Sequence, residues 1–460
     1  MKIFLNKKIG VLGLSRTGLS SVKFLKKKGF NIYGWDDNNE KFINSKKKFN
    51  IHNLNNNNLK KQSFLIVSPG IHSSGKKRHP FLKKADKAKI EILNDIELFY
   101  RFNPEEKYIG VTGTNGKSTT VSLLCHILKK LKINNTLSGN IGNPIFNLKK
   151  FKKSLNILEV SSFQLEQMKR MKFKIAVLLN ITKDHIERHQ NFKNYINEKI
   201  KIFNNQCKND VSIIGIDDPT TSSLVNKLKK KLSSNLITIS GKNSKANIYI
   251  KNERLIINLN LNDKKIFNKI DIRKYKNFSG SHNYQNIAAV YAILLSLGFM
   301  NWKKIQNSIQ SFKILPHRLE KVREIDNITF INDSKATNLD ATKQALKSFK
   351  NIYWIMGGRI KEKGILKLKK YFSNIKHAFL IGETKFLYEK YLKNHLNCTI
   401  AKNLNESTKL SFCLAKKEKK DAPIILLSPA CSSLDEWKDF EERGNAFIKY
   451  VKELKNYNAK

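Results

Sequence analysis

The sequence has few cysteines and no long apolar run, and these two scarcities exclude several classes of protein. Its five cysteines form no CxxC pair and have no histidines at zinc-ligand spacing, so no zinc site is predicted. An odd, unpaired set predicts a reducing compartment. No window reaches the roughly 18 uninterrupted apolar residues of a membrane span, and Lys7 and Lys8 interrupt any signal-peptide-like stretch. We therefore expect a cytoplasmic protein with no membrane partner.

Acidic residues are also scarce: 37 Asp and Glu stand against 87 Lys and Arg, for a formal net charge of +50. Such a balance suggests nucleic acid or an anionic membrane as partner. The lysines are, however, spread along the chain together with many asparagines and isoleucines, as in residues 44–62. We interpret most of them as solvated surface and expect no nucleic acid as the main partner.

The length and the apolar content predict several globular domains. At about 150 residues per domain, 460 residues suggest about three, and a hydrophobic content of 40% excludes a disordered chain. Short apolar runs alternate with helical patterns in the first hundred residues and again after residue 315, which predicts parallel α/β sheets. Residues 245–273 alternate as a hairpin or small antiparallel sheet would. The predicted α/β fold has three domains: a Rossmann-like N-terminal domain (1–104), a central P-loop ATPase-like domain (105–314) and a Rossmann-like C-terminal domain (315–460).

The first strand-to-helix turn contains Gly10, Gly13 and Gly18, whose spacing is not GxGxxG. A tight turn and a phosphate cradle both remain open here. Asp36 and Asp37 end the second strand, at the edge where α/β sheets bind nucleotides, so a nucleotide-like ligand is favoured.

The strongest chemical signal is the segment TGTNGKSTT (112–120), between an apolar strand and an amphipathic helix. A glycine-rich turn exposes backbone N–H groups, and the helix N-terminus adds positive partial charge. Lys117 can reach terminal phosphates, and Ser118 or Thr119 can ligate magnesium. A Walker A loop would begin with Gly where Val111 stands. The segment nevertheless predicts phosphate binding.

Polar residues follow two further strands of the same domain. Glu159 ends one, and Asn180, Asp184 and His185 lie just past the next. Because ligands gather at the carboxyl edge of such sheets, Glu159 and His185 are candidate magnesium ligands. The next helix carries Asn283 and Asn286 on one face near its start.

Eight motifs in order resemble those of the Mur ligases of peptidoglycan synthesis: TGTNGKSTT, GNIGNP, LEVSSFQLE, LNITKDHIERH, GSHNYQN, LPHRLE, INDSKATN and LLSPACSSLDEW. The resemblance covers essentially the whole chain. NDSKATN and SPACSSLDEWKDFEERG are similar to the branch that adds D-glutamate. Folylpolyglutamate synthases share the P-loop domain but lack a counterpart of residues 1–104.

The resemblance implies a function and its partners. ATP would phosphorylate the terminal carboxylate of UDP-N-acetylmuramoyl-L-alanine, and the amine of D-glutamate would attack the acyl phosphate. Two magnesium ions and Lys117 would offset the repulsion between anionic reactants. Residues 1–104 would bind the UDP-sugar, 105–314 ATP and 315–460 the amino acid, with hinged closure near 312–316 in a monomeric enzyme.

It also implies roles for particular residues. Those expected on the ATP phosphates are Gly113, Thr114, Asn115, Gly116, Lys117, Ser118 and Thr119. Magnesium would be bound by Ser118 or Thr119 with Glu159, by His185, and by Lys199 after carbon dioxide converts it to a carbamate. The expected adenine and ribose contacts are Asn283, Asn286, His317, Arg318 and Asp333. Contacts to D-glutamate would come from Lys335, Thr337, Lys361, Ser433 and Phe440. Asn140 would contact the muramoyl part, and Leu14, Ser15, Asp36 and Asp37 the uridine.

Ser433 has a second interpretation, because SLDE (433–436) fits a capping box in which Glu436 reciprocates the serine cap. Three alternatives for the whole chain also stay open. They are a ligase for another amino acid such as L-glutamate, a basic nucleic-acid-binding protein on a ligase scaffold, and a Rossmann dehydrogenase suggested only by the first turn.

Overall fold

A computed structural model describes residues 8–75, 77–148, 154–261, 264–275, 278, 281–313, 315–360, 364–418 and 421–454. The chain divides into two compact units, Met1–Phe312 and Lys313–Lys460, and each is described by itself. The first unit contains two sheets and the second contains one. The predicted fold class, α/β in three domains, is confirmed by these sheets and by the family matches given below.

The N-terminal sheet is parallel, with strand order β3-β2-β1-β4-β5. Its strands are β1 Lys8–Leu12, β2 Asn31–Trp35, β3 His52–Asn53, β4 Phe64–Val67 and β5 Glu91–Leu93. Its helices are α1 Arg16–Lys27, α2 Asn39–Phe49, α3 Asn56–Leu59, α4 Pro80–Lys87 and α5 Asp95–Phe102. The order reverses beside β1, so the carboxyl ends of β1, β2 and β4 form the edge where α/β sheets bind ligands.

The central sheet has the order β14-β13-β12-β11-β10-β9-β6-β8-β7. Its strands are β6 Lys107–Thr112, β7 Asn135–Gly139, β8 Leu155–Glu159, β9 Ile175–Leu178, β10 Val211–Gly215, β11 Asn235–Ser240, β12 Ile248–Lys251, β13 Arg254–Leu261 and β14 Lys264–Asp271. The helices are α6 Lys117–Lys130, α7 Ser162–Leu165, α8 Ile186–His189, α9 Phe192–Ile200, α10 Pro219–Lys231, α11 Ser281–Ser296 and α12 Trp302–Gln310, with short 3-10 helices at Ile145–Asn147 and Lys201–Phe203. The predicted hairpin in 245–273 is confirmed as antiparallel β12, β13 and β14, which extend this sheet.

The third sheet has the order β15-β16-β20-β17-β18-β19, parallel except for the β15/β16 pair. Its strands are β15 Glu320–Ile325, β16 Ile328–Asn332, β17 Ile352–Gly357, β18 Ile375–Ile381, β19 Cys398–Ile400 and β20 Ile424–Leu427. The helices are α13 Leu339–Ser348, α14 Lys385–Leu392, α15 Leu404–Glu418 and α16 Phe440–Glu453, with a 3-10 helix at Ile365–Asn374.

Apolar burial explains why these elements form where they do. The inner strands β9 and β17 are buried at every position, as parallel strands covered on both faces must be. Helix α11 is apolar almost all round, and its residues 287–294 are fully buried against the central sheet. This packing fixes the start of α11 beside the carboxyl edge of that sheet. In the described segments no helix is long and apolar enough to cross a membrane.

The second interpretation of Ser433, a capping box at SLDE (433–436), is wrong. Residues 433–439 form turns, and α16 begins only at Phe440. The cap of that helix is Asp439, whose side chain accepts the N–H of Glu442. The carbonyl of Ser433 instead accepts the N–H groups of Glu436 and Trp437.

A buried carboxylate joins the N-terminal domain to the central domain. Glu97, on α5, is fully buried and accepts the backbone N–H groups of Lys169, Arg170 and Met171 at 3.0–3.2 Å. It also accepts Arg101 Nε at 2.8 Å. Unpaired backbone donors are costly in a dry interior, so this carboxylate holds the loop before β9 in place.

Replacing Glu97 by alanine is expected to lower the free energy of unfolding by about 3–5 kcal/mol, because three backbone N–H groups, of which that of Met171 is buried, lose their acceptor. Arg101 keeps Glu91 as partner, at 2.7 Å, which limits the loss. Urea unfolding followed by fluorescence measures the effect, with the exposed Glu105→Ala as control. Equal stability of the two variants would contradict this role.

Candidate active site

The turn from β6 into α6 has two glycines with positive φ and leads directly into a helix N-terminus, as the predicted phosphate loop requires. Gly113 and Gly116 have φ of 155° and 87°, a region that side chains rarely adopt. A Cβ atom at Gly116 would lie 2.3 Å from Asn286 Oδ1, so only glycine fits there. The N-terminus of the 14-residue helix α6 follows at once, which directs free N–H groups and positive partial charge toward the loop.

Lys117 is the first residue of α6, and its ammonium group lies inside the loop. Its Nζ donates to the carbonyls of Gly113 and Thr114 at 2.7 and 2.8 Å. Ser118 is buried and Thr119 is half-buried in the same helical turn. A terminal phosphate in this loop would therefore meet a cation, backbone donors and hydroxyls.

Three residues outside the predicted site residues brace the loop: Asn180, Thr182 and Tyr195. Asn180, just past β9, accepts the N–H of Asn115 on Oδ1 at 2.9 Å and donates Nδ2 to the Asn115 carbonyl at 3.1 Å. Thr114 Oγ1 accepts the N–H of Thr182 at 3.0 Å and lies 3.1 Å from the Tyr195 hydroxyl. Residues that follow β9 and a residue of α9 therefore hold the loop, and they meet it only in the folded domain.

Replacing Asn180 by alanine is expected to weaken ATP binding about 10–100-fold, because the loop loses two hydrogen bonds worth about 1 kcal/mol each and the free Asn115 amide loses its acceptor. Titration calorimetry with ATP measures the dissociation constant. The control is Asn226→Ala, an exposed position on α10. Wild-type affinity in Asn180→Ala would show that the loop keeps its shape without this side chain.

Lys199, on α9, also contacts this loop. It is 2% exposed, and its Nζ donates to the Gly113 carbonyl at 2.8 Å. The ring of Tyr195, one turn earlier on the helix, lies 4.8 Å from Nζ. Burial, reinforced by the charge of Lys117, holds the pKa of Lys199 well below its usual range. The side chain is therefore held as a neutral amine far more readily than a surface lysine.

Glu159, at the end of β8, offers an oxygen that has no partner among the described residues. The side chain is 2% exposed, and Oε1 accepts Asn140 Nδ2 at 3.0 Å while Oε2 is buried and unbonded. Gly139 has φ 98°, and a Cβ there would lie 2.2 Å from the Glu159 carbonyl, which only glycine avoids. A buried, unsatisfied carboxylate oxygen is what a hard cation such as magnesium requires.

His185 lies at the N-cap of α8 with φ 53°. Its Nε2 is 3.4 Å from Asp184 Oδ2, its Nδ1 is 3.8 Å from Glu187 Oε1, and the ring packs edge-on against Phe163 at 4.8 Å. The charges of Asp184 and Glu159 act to raise the pKa of Lys199, but burial and the charge of Lys117 lower it by more. In the described part of the chain, no group of three or more His, Cys, Asp and Glu side chains forms a metal cluster.

The predicted uridine contacts lie together at the carboxyl edge of the N-terminal sheet. Asp36 accepts the N–H of Leu14 at 2.6 Å, and Ser15 Oγ accepts Lys41 Nζ at 3.3 Å. Asp37 accepts Trp35 Nε1 and contacts His79 Nε2, both at 3.0 Å. His79 lowers the pKa of Asp37 and is a member of this cluster that sequence reasoning missed.

The start of α11 carries the two predicted asparagines. Asn286 is buried, and its Oδ1 accepts the Thr120 hydroxyl at 3.3 Å beneath Gly116. Asn283 is half-buried one turn earlier. Asn286 therefore supports the loop directly.

In the second unit, the predicted residues gather after β16. Asp333 Oδ2 accepts the Ser428 hydroxyl at 2.8 Å, and Oδ1 accepts the N–H of Leu319 at 3.2 Å. Lys335 Nζ lies 3.4 Å from the centroid of the Phe440 ring.

His317 is buried in the same cluster, with its Nδ1 2.9 Å from Asn332 Nδ2 and its carbonyl accepting the Lys335 N–H. Burial raises the pKa of Asp333, and the charge of half-buried Arg318 offsets only part of that rise; Thr337 is half-buried beside Lys335. Ser433 is buried in the turn before α16, and Lys361 lies outside the described residues.

Burial raises the pKa of Asp333 to about 7. Between pH 4 and 7 the folded protein then holds a proton that the unfolded chain does not, so the free energy of unfolding should fall as pH rises, by about 4 kcal/mol in all. Asp333→Asn should flatten this dependence, whereas the exposed Asp421→Asn should keep it. Urea unfolding at several pH values measures the slopes, and parallel curves for Asp333→Asn and wild type would contradict the assignment.

Three family models match this chain in order along its length. They are the Mur ligase MurD-like N-terminal domain (residues 7–94), the Mur ligase middle domain (111–294) and the Mur ligase glutamate ligase domain (317–431). The glycine-rich loop, Glu159, His185 and Lys199 all lie within the middle match. The chain belongs to the Mur ligase family.

Among the curated relatives is a UDP-N-acetylmuramoylalanine–D-glutamate ligase from Rickettsia prowazekii, 37% identical and covering 98% of this chain and 99% of the relative. A protein of the same name from Rickettsia felis is 39% identical and covers 97% of each. The solved UDP-N-acetylmuramate–alanine ligase from Thermotoga maritima has a TM-score of 0.58 at 18% identity, over 97% of this chain and all of that one. The latter likeness is one of fold.

Proposed function

We propose that this chain is the ATP-dependent ligase that joins D-glutamate to UDP-N-acetylmuramoyl-L-alanine, releasing ADP and phosphate. The observation that carries the chemistry is the convergence of Lys117 and Lys199 on the Gly113 carbonyl of a phosphate loop. The names of the near full-length relatives supply the substrates. A monomeric state and a cytoplasmic location belong to the same proposal.

An acyl phosphate is the intermediate that suits these residues. A carboxylate is a poor electrophile, so transfer of the γ-phosphoryl group to its oxygen provides a leaving group. The amine of D-glutamate then attacks the acyl carbon, and the tetrahedral intermediate expels phosphate to leave the amide. Lys117 and the N-terminus of α6 stabilise the charge that the transferring phosphoryl group develops.

The residues around Glu159 fit magnesium, since hydroxyl and carboxylate oxygens are its preferred ligands. Ser118 or Thr119 would hold one ion together with Glu159, and His185 with the Lys199 carbamate would hold a second. Magnesium would supply neutralisation of the phosphate charges. The lowered pKa of Lys199 supports carbamate formation, because only the neutral amine reacts with carbon dioxide.

The remaining assignments follow the family motifs and the clusters described above. Loop residues Gly113, Thr114, Asn115 and Gly116 would contact the phosphates of ATP. Its adenosine would be bound by Asn283, Asn286, His317, Arg318 and Asp333. D-glutamate would be bound by Lys335, Thr337, Lys361, Ser433 and Phe440. The UDP-sugar would be bound by Leu14, Ser15, Asp36, Asp37 and Asn140.

Phosphate release from ATP and UDP-N-acetylmuramoyl-L-alanine tests the proposal, with D-glutamate, L-glutamate, L-lysine or no amino acid added. Release with D-glutamate alone, together with a product heavier by one glutamyl residue, is expected. Release with another amino acid would keep the mechanism and change the substrate. No release with any of them would overturn the proposal.

A further inference from the structure

Residues 68–75 connect the two ligand sites of the first unit. The segment leaves β4 beside the turn that precedes Leu14, where Ser68 Oγ donates to the Gly13 carbonyl at 2.7 Å. The fit is tight, because a Cβ at Gly13 would lie 2.9 Å from Ser68 Cβ. One end of the segment is therefore fixed to the predicted uridine cluster.

The other end is held by Arg188 of the central domain. Its Nη1 donates to the Pro69 carbonyl at 3.2 Å, and its Nη2 donates to the Ile71 carbonyl at 2.8 Å and to Ser73 Oγ at 3.1 Å. The guanidinium carbon lies 3.7 Å from the centroid of the Phe163 ring. A buried planar cation thus fixes the path of this segment by three directed hydrogen bonds and one stacking contact.

Further contacts close the same junction. Ser73 Oγ donates to Glu166 Oε2 at 2.7 Å, and Ser74 Oγ donates to the Arg188 carbonyl at 3.2 Å. A Cβ at Gly75 would lie 3.1 Å from that carbonyl. The segment and α8 therefore cannot shift along each other without breaking several bonds.

Arg188 also lies next to the chemistry. It is in the single turn of α8 that begins after His185, and Phe163, on which it stacks, contacts the His185 ring at 4.8 Å. A guanidinium is costly to bury, and Arg188 Nε has no partner among the described residues. Apolar side chains would join two domains at a lower desolvation cost. The directed hydrogen bonds of the guanidinium group therefore indicate that the relative position of the joined segments matters.

We propose that Arg188 is a positioning residue that sets the distance between the uridine cluster and the centre around Glu159 and Lys199. This inference rests on the proposed function, in which one substrate spans both places. Uridine bound at one end would then deliver the reacting carboxylate to the phosphoryl group at the other. Misplacement by about 1 Å costs on the order of 100-fold in rate.

The test uses Arg188→Gln, Arg188→Lys and the milder Ser73→Ala, with the exposed Arg170→Gln as control. Three quantities are measured: the dissociation constant of UDP alone, that of ADP alone, and kcat/KM for the full UDP-sugar. In Arg188→Gln we expect kcat/KM to fall about 100-fold while both dissociation constants stay within about twofold. Arg188→Lys should recover only part of the loss, because an ammonium cannot reproduce the fork.

Unchanged kcat/KM in Arg188→Gln would overturn the inference. Parallel loss of UDP binding, ADP binding and melting temperature would also overturn it, since it would indicate a purely structural role. If Arg188→Gln does not fold, Ser73→Ala decides by the same three measurements. Inactivity of both wild type and Arg170→Gln would instead reject the proposed function, which keeps the two failures distinct.

Discussion

Lys117→Ala is expected to abolish ATP-dependent phosphate release, with a fall of about 1,000-fold or more in kcat, and to leave the fold intact. The ammonium group lies inside the loop, where Nζ donates to the carbonyls of Gly113 and Thr114 at 2.7 and 2.8 Å. Removing it deletes the cation that offsets repulsion between an anionic γ-phosphate and an anionic carboxylate. Loss of one preorganised donor costs about 100–1,000-fold, and this donor also carries a full charge.

The matched control is Lys129→Ala, an exposed lysine in the last turn of the same helix. Both variants should have wild-type melting temperatures, so the loss is attributable to chemistry rather than to unfolding. Lys117→Arg should also fail, because a guanidinium fork does not replace a compact ammonium between two loop carbonyls. Near-normal turnover by Lys117→Ala would reject the assignment of the phosphate loop.

The parts of the site that sequence predicts well are those encoded locally. TGTNGKSTT contains its own strand end, turn and helix start, and the structure has β6, two left-handed glycines and α6 in that order. Asp36 and Asp37 directly follow β2, which ends at Trp35 rather than at the aspartates, and they lie at the sheet edge because the end of an apolar run marks that edge. Local encoding also misleads: SLDE has the pattern of a cap, but Asp439, further along the chain, caps α16.

The contacts of the site that could not be predicted from the sequence depend on which strands become neighbours in the fold. Asn180 braces Asn115 only because β9 pairs with β6, an order that strand patterns do not encode. Tyr195 lies in an ordinary amphipathic helix pattern, so nothing in that pattern marked it. Its position one turn before Lys199 was the signal that the two side chains lie on the same face of the helix. In the sequence, Arg188 is one of 87 lysines and arginines, and only its burial against residues 69–73 distinguishes it.

Lys199→Ala is expected to lower kcat by at least about 100-fold, and its activity should be partly restored by acetate. Burial and the charge of Lys117 favour the neutral amine of Lys199, which is the form that reacts with carbon dioxide. The product of that reaction is a carbamate, which replaces a basic side chain by an anion. Acetate can enter the space left by the side chain and supply a carboxylate oxygen. Wild-type protein should incorporate ¹³C from labelled bicarbonate, as followed by NMR, and Lys199→Ala should not.

Stability provides an independent readout of the same residue. At pH values between the lowered pKa of Lys199 in the folded protein and its ordinary pKa of 10.5, the unfolded chain binds a proton at Lys199 that the folded protein does not. The free energy of unfolding therefore falls as the pH falls across this range. Lys199→Met should remove that slope and lose activity without loss of stability, whereas the exposed Lys193→Ala on the same helix should change neither. Full activity of Lys199→Met, or bicarbonate labelling that persists in it, would show that the buried amine takes no part in the reaction.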